Sequence, residues 1–294
     1  MELLKQWDIE GSAITLLQEK VWSIDSSYIL KAYENEEECQ KIIYLYQEFM
    51  RSGIPIPEVI PTKFGDNYAI QDAAYHILTR RLNGNHLLKE DIISNPLLAH
   101  HIGTVIAKLH QAFAEITGQI KLLDNDFMKE LTGWITESIQ KHAAGSFTHT
   151  ILKDCVSELG SVYDKLERHL IHRDLHLGNL LFEGNEVTGY IDFDLSQINV
   201  RIFDIAYLCA GWAVDQVQDS LFMTGWKQAL QSIIAGYQEE QPLSVLERNA
   251  MGVMMCSIEL LFVAYFRSIN DTVNSSKSEE CLKWLWENRK NMIE

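Results

Sequence analysis

Between Ala13 and Tyr33, apolar and polar residues alternate in "VWSI" and "YILKAY", with "DSS" between them. That is the period-two pattern of strands joined at a turn. The period then changes. In "ENEEECQKIIYLYQEFMRSG" the apolar residues Cys39, Ile42, Ile43, Tyr46, Phe49 and Met50 fall at helical spacing, behind an acidic first turn and ahead of a glycine. "IPIPEVIPT" reads as a proline-punctuated connector, and "YAIQDAAYHILTRRL" as a hairpin turning near "DAA". After "LNGN" the spacing is helical over residues 95–113, 127–142 and 151–169. Residues 170–195 return to short strands and turns. From "RIFDIAYLCAGW" onward the chain is helical again, with "NDTVNSSKSEE" as the one loose segment. A strand-rich stretch over residues 1–80 followed by a mainly helical one over 81–294 predicts an α+β chain of two lobes.

Composition narrows the classes. With 294 residues, 47% of them hydrophobic and 22% charged, the chain is long enough and apolar enough to bury a core. A net charge of −16 disfavours nucleic acid and anionic membrane surfaces, and suits a cationic small molecule. The five cysteines are scattered without a C-x-x-C pair, as reduced thiols of a cytoplasmic protein would be. "MELLKQWDIEGS" has no basic stretch followed by an apolar run, so no signal peptide is expected. The most apolar segment, Met251–Phe266, carries Ser257 and Glu259 and reads as a core helix rather than a membrane span.

The chemistry concentrates in "LIHRDLHLGNLLFEG", residues 170–184. As a zinc site it is poor, because His172 and His176 share no convincing helix and no further His or Cys ligands stand out. Phosphoryl transfer fits better. That reaction needs a carboxylate to orient an attacking hydroxyl and oxygen ligands for a divalent ion. His172-Arg173-Asp174 followed by Asn179 has the spacing H-R-D-x-x-x-x-N, and "YIDFDL" then places Asp192 after a second strand. Asp194 stands where protein kinases carry the glycine of D-F-G.

The run "HRDLHLGNLLFEGNEVTGYIDFDLSQINVRIFDIAYL" resembles the aminoglycoside phosphotransferase and choline kinase-like family of small-molecule kinases, which have a protein-kinase-like two-lobe fold. "YILKAY", "RSGIPIPEVI", "HILTRRLNG" and "VIAKLHQ" extend the resemblance in the same order over roughly residues 10–270, the hairpin being its most specific part. The resemblance implies a nucleotide-binding lobe over residues 1–80 and a catalytic, acceptor-binding lobe over 81–294. It implies ATP and Mg2+ as cofactors and a small hydroxyl-bearing acceptor as partner, in a monomer or homodimer. Residue by residue, Asp174 is then the catalytic base, and Asn179 and Asp192 are the magnesium ligands. Lys31 pairs with the α- and β-phosphates and Glu38 positions Lys31, with Glu37 nearly as good a choice. Backbone groups from Arg80 to Leu82 receive adenine, and Asp204 braces the loop. The N-terminal hairpin "LLQEKVWSIDSS" departs from the glycine-rich phosphate loop of protein kinases.

Two functions remain open on these residues: an ATP-dependent small-molecule kinase, and a catalytically inactive kinase-like protein that binds nucleotide or serves a structural role. Lys31, Asp174, Asn179 and Asp192 are all present, which favours the enzyme. The short passage from "IDFD" to "FDIAYL", without an A-P-E element, leaves little platform for a peptide substrate. The acceptor's identity is not encoded in any recognisable pattern. Carboxylates at Asp215, Asp219, Glu239, Glu240, Glu247 and Glu259 are expected to favour a cationic one. Glu259 interrupts an apolar run and is expected to have a partner, either Arg248, Arg267 or the substrate.

Overall fold

The computed structural model describes residues 2–116, 125–141 and 146–293. The elements run in chain order β1 (Ile14–Gln18), β2 (Val21–Ile24), β3 (Tyr28–Tyr33), α1 (Glu36–Arg51), β4 (Ala69–Gln71) and β5 (Ala74–Arg80). There follow α2 (Lys89–Ile93), α3 (Pro96–Ile116), α4 (Phe127–Glu130), α5 (Thr136–Lys141) and α6 (Ser146–Gly160). Then come β6 (Arg168–Ile171), β7 (Leu180–Glu183), β8 (Glu186–Tyr190) and β9 (Gln197–Val200). The chain closes with α7 (Ile202–Ala213), α8 (Ser220–Glu240), α9 (Val245–Ser268) and α10 (Thr272–Asn288). The elements divide into two compact units, one of residues 1–86 with 178–194, the other of residues 87–177 with 195–294.

The first unit is built on an antiparallel sheet ordered β1-β2-β3-β5-β4. Both expected turns carry positive φ at their centres, Asp25 and Ser26 in one and Asp72 and Ala73 in the other, the geometry of tight hairpins whose twist matches the strands. One side of the sheet is closed by a short 3-10 helix, Glu2–Trp7, whose Leu3, Leu4 and Trp7 pack with Ile24, Leu30 and Leu78. Helix α1 starts at Asn35, whose side chain accepts from the Glu38 amide, and buries Cys39, Ile42, Leu45 and Phe49. Phe193 is fully buried against this helix, 4.9 Å from the Phe49 ring and edge-on to Tyr46 at 5.8 Å. Such a ring contributes roughly 1.5–3 kcal/mol by burial alone. Hairpin β7–β8 belongs to the same unit, joined to it by paired bonds between Asn85 and Phe182 and by Tyr190 N–H to the Pro55 carbonyl.

The second unit is helical around the small antiparallel pair β6–β9. Helices α3 and α8 approach so closely that a Cβ on Gly103 would lie 1.9 Å from the Ile233 carbonyl oxygen, and one on Gly236 equally near that of His100. Glycine is required there by backbone contact. Helix α9 is long and apolar enough to cross a membrane, but 72% of its most apolar window is buried inside the protein, as a core helix would be. Two expectations are corrected. The helical reading of 151–169 holds only to Gly160, because the chain must turn there to place Tyr163, whose hydroxyl bonds Asn199, and to enter β6. The stretch read as loose, 270–280, is largely the start of α10, nucleated by Asp271, whose carboxylate caps the Asn274 amide, and packed on α9. His142 lies outside the described residues.

Candidate active site

Strand β6 delivers His172, Arg173 and Asp174 to a loop held by the first turn of α7. Asp204 accepts the backbone N–H of His172 at 2.7 Å and of Arg173 at 2.9 Å, while Arg173 adopts φ 73°, a left-handed conformation rare for a bulky residue. The brace expected of Asp204 is therefore present. Its second support is His110, whose Nε2 lies 3.2 Å from Asp204 Oδ2 and whose Nδ1 is 2.9 Å from the Tyr237 hydroxyl. A carboxylate only accepts, so Nε2 donates and Nδ1 receives the Tyr237 proton. Burial opposes ionisation of Asp204, but His110 and the loop amides outweigh it and hold the acid below its usual range. Arg173 turns away from Asp174. Its guanidinium lies over the Phe203 ring at 4.2 Å and reaches Glu130 at 2.6 Å.

Asp174 is half-buried, with its two oxygens in different surroundings. Oδ1 accepts the Tyr207 hydroxyl at 2.6 Å, and Oδ2 lies 3.6 Å from His176 Nε2. Burial raises the acid's pKa, but the neighbouring His176, the Tyr207 hydrogen bond and the charge of His172 together bring it below the ordinary value. Asp174 is thus kept as an anion, the form that can accept a proton. Neither Tyr207 nor the position of His176 was expected. The only signal in the sequence is that Tyr207 stands three residues after Asp204, one turn along the same helix face.

In the first unit, Asn179 ends a 3-10 turn, Leu177–Asn179, and is buried. Its carbonyl accepts the Ile191 N–H at 3.1 Å, which brings the chain at Asn179 to within one residue of Asp192. Asp192 has φ 63°, a strained value for a residue with a side chain. The Lys31 ammonium, on β3, lies 2.9 Å from Asp192 Oδ1 and 2.5 Å from Asp194 Oδ2. Burial would lower the Lys31 pKa, but the charges of Asp194 and Asp192 overcome it and keep the amine protonated. Asp194 is further tied by the Tyr33 hydroxyl at 3.2 Å and, through its carbonyl, by Lys41 of α1 at 2.7 Å.

The structure brings Lys31 and Asp192 together, a pairing the sequence reading did not include. Glu38 is exposed in the first turn of α1, and the ion pairs of Lys31 go to Asp192 and Asp194. At the end of β5, the Arg80 N–H bonds the Glu58 carbonyl, and just past it the Arg81 N–H bonds that of Ser27, while Leu82 packs over Gly189. Lys20, at φ 62°, fills the left-handed turn position between β1 and β2 where a glycine is the easier choice. Several of the acidic residues read as favouring a cation are engaged within the protein. Asp215 pairs with Lys277, Asp219 caps α8, Glu239 meets His100, and Glu247 pairs with Arg201. The arginine partner expected for Glu259 is not made either: Arg248 bonds Gln238 and the Leu243 carbonyl, and Arg267 bonds Glu279. Among the described residues no group of three or more His, Cys, Asp or Glu could hold a metal by itself. Asp192 and Asn179 carry oxygen donors of the kind a hard cation takes when phosphates complete its shell.

A family model described as "Phosphotransferase enzyme family" matches residues 16–243. Among curated proteins, the homoserine kinase of Polaromonas naphthalenivorans is 23% identical over 231 residues, covering 76% of this chain and 69% of that one. The homoserine kinase of Zymomonas mobilis is 26% identical over 246 residues, covering 81% and 72%. Among solved structures, a microcompartment-associated aminopropanol kinase superposes with a TM-score of 0.75 at 17% identity, over 99% of this chain and 97% of its own. An amicoumacin kinase in complex with AMP-PNP and Ca2+ gives a TM-score of 0.70 at 17% identity, over 99% and 92%. At these identities the structural likeness carries the kinase-like fold, which agrees with the fold expected from the sequence.

Proposed function

We propose that this chain, which belongs to the phosphotransferase enzyme family, transfers the γ-phosphoryl group of ATP to a hydroxyl of a small amino-bearing acceptor. The observation that carries the reading is Asp174: an ionised carboxylate held at one oxygen by Tyr207, on a loop whose backbone Asp204 fixes. Its Oδ2 would receive the acceptor's proton as the hydroxyl oxygen attacks the γ-phosphorus and the bond to the leaving ADP oxygen breaks.

Lys31 would take the α- and β-phosphates, its charge secured by the carboxylates beside it. Asp192 and Asn179 would hold Mg2+, which, when bound, offsets the charge of the phosphate oxygens. Adenine would meet the backbone at Leu82, since the N–H groups of Arg80 and Arg81 are already committed. Nucleotide recognition is thus assigned to residues 1–80 with the segment that follows β5, and acceptor recognition to the helical remainder. The relatives' names, homoserine kinase and aminopropanol kinase, both denote acceptors with an ammonium near the hydroxyl; aminopropanol is a net cation, which a net charge of −16 favours, whereas homoserine is a zwitterion.

The test is ATP consumption by the purified chain against homoserine, aminopropanol, choline, aminoglycosides and neutral sugars, with Mg2+. Turnover of an amino alcohol with formation of its phosphate ester is expected. Absence of turnover on every acceptor, with no binding of ATP, would favour a kinase-like protein without activity.

A further inference from the structure

We infer that Asp194, rather than a glutamate of α1, is the anion that positions Lys31 for the phosphates; this rests on the nucleotide-binding reading above. In protein kinases that anion is a glutamate of the helix after the lysine strand. Here the acidic start of α1 is otherwise occupied. Glu36 bonds Gln40 and the Tyr68 hydroxyl, and Glu38 is exposed with its amide capped by Asn35. What α1 sends toward Lys31's surroundings is a cation: Lys41, bonded to the Asp194 carbonyl. The polarity of the arrangement is inverted.

Asp194 is well placed for the role. Lys31 and Tyr33 lie two apart on β3, hence on one face of the strand, and both reach the Asp194 carboxylate, one at each oxygen. Between the two acids Phe193 goes the other way, into the core against Phe49 and Tyr46. The backbone at Asp194 is thereby pinned by Phe193 on one side and by Lys41 on the other. A second carboxylate also answers a problem of charge. Asp192 contacts Lys31 in this structure, but a magnesium ligand cannot give its charge fully to an ammonium. Asp194 keeps Lys31 in place when Asp192 is engaged. A glycine, as in D-F-G, offers no such group.

The experiment is ATP affinity of the full chain, measured with and without Mg2+, for wild type, Asp194→Asn, Asp194→Glu and Glu38→Gln. Asp194→Asn should weaken binding about tenfold, the scale of one charge-assisted hydrogen bond, and equally in both conditions. Asp194→Glu should recover most of that loss, and Glu38→Gln should cost several-fold less than Asp194→Asn. A melting temperature near wild type separates the effect from misfolding. Should Asp194→Asn not fold, Tyr33→Phe loosens the same carboxylate and should give a smaller loss in the same direction. A loss confined to Mg2+ conditions would make Asp194 a metal ligand and overturn the inference. So would a larger loss from Glu38→Gln, or wild-type affinity in Asp194→Asn and Tyr33→Phe. Failure of the wild-type chain to bind ATP at all would instead refute the nucleotide reading, and the inference with it.

Discussion

Tyr207 donates a hydrogen bond of 2.6 Å to Oδ1 of Asp174, and it does so from the helix whose Asp204 holds the loop backbone. One turn of α7 therefore fixes both the backbone around Asp174 and the rotation of its carboxylate. The Tyr207 ring stacks on Phe203 at 5.9 Å and touches Phe262 at 5.6 Å, so its position does not depend on the hydroxyl. Tyr207→Phe should leave the fold intact and free the carboxylate to rotate. We expect kcat to fall about tenfold, equivalent to ~1.4 kcal/mol of transition-state stabilisation. The hydrogen bond also helps keep the acid ionised. Without it the Asp174 pKa rises, so the acid limb of the kcat/KM profile should move to higher pH. Superimposable pH profiles with unchanged kcat would show that Tyr207 only packs.

Asp174→Asn removes the group assigned to the acceptor's proton while preserving shape. A positioned base contributes on the order of 10²–10⁴ in rate, so kcat should fall by that range with ATP affinity near wild type. Single-turnover kinetics and nucleotide titration separate the two. Lost ATP binding with chemistry preserved would move Asp174 out of the base role.

Asp192→Ala and Asn179→Ala should each raise the Mg2+ concentration needed for half-maximal activity, because each deletes an oxygen donor for a hard cation. Asp192→Ala should do so more strongly, since it loses a charge as well as a ligand. Titration of activity with Mg2+ at fixed ATP reads both. An unchanged Mg2+ dependence in both variants would remove them from the metal's surroundings.

The legible parts of this molecule are those whose cause is local. The turns at "DSS" and "DAA" could be read because the flanking strands alternate cleanly, and α1 because its apolar residues recur at helical spacing behind an acidic first turn. The 3-10 helix Glu2–Trp7 was not read: it is too short for a period, and only the sheet it covers gives Leu3, Leu4 and Trp7 a role. Helix α10 was hidden by its polar opening sequence, which packing on α9 overrides. In the site, Lys31 and Asp192 were recognisable by motif. The partner of Lys31 depends on where Lys41 and Phe193 pin Asp194, and those contacts span more than 140 residues of chain. No spacing rule reaches that far.

Asp204 ties two backbone amides in a fully buried place, with His110 behind it. Asp204→Ala leaves those N–H groups without an acceptor, at a cost of about 1–3 kcal/mol each. Both the melting temperature and kcat should drop, because the loop carrying Asp174 loses its anchor. Asp204→Asn keeps one acceptor and should fall between. Lost activity with an unchanged melting temperature would instead place Asp204 among the groups that touch substrate.

Glu259 offers a stability test independent of catalysis. It is fully buried on α9, neither of its oxygens makes a hydrogen bond of normal geometry among the described residues, and the arginines that could have paired with it are engaged elsewhere. Burial pushes the acid up to about 8, with Ser278 pulling only weakly the other way. The folded protein therefore holds Glu259 protonated at neutral pH, whereas the unfolded chain ionises it near the ordinary carboxyl value. A folded pKa above the unfolded one contributes stability that is complete below the unfolded value and is lost as pH rises through the folded value. From this group, unfolding free energy should decline between about pH 4.5 and 8 at up to ~1.4 kcal/mol per pH unit, then level off. Glu259→Gln keeps the shape and cannot ionise. It should melt like wild type near pH 4 and increasingly above it toward pH 8, with the difference between the two curves isolating Glu259 from every other titrating group. Parallel melting curves across that range would mean that Glu259 is ionised in the folded protein, and hence that a cation reaches it.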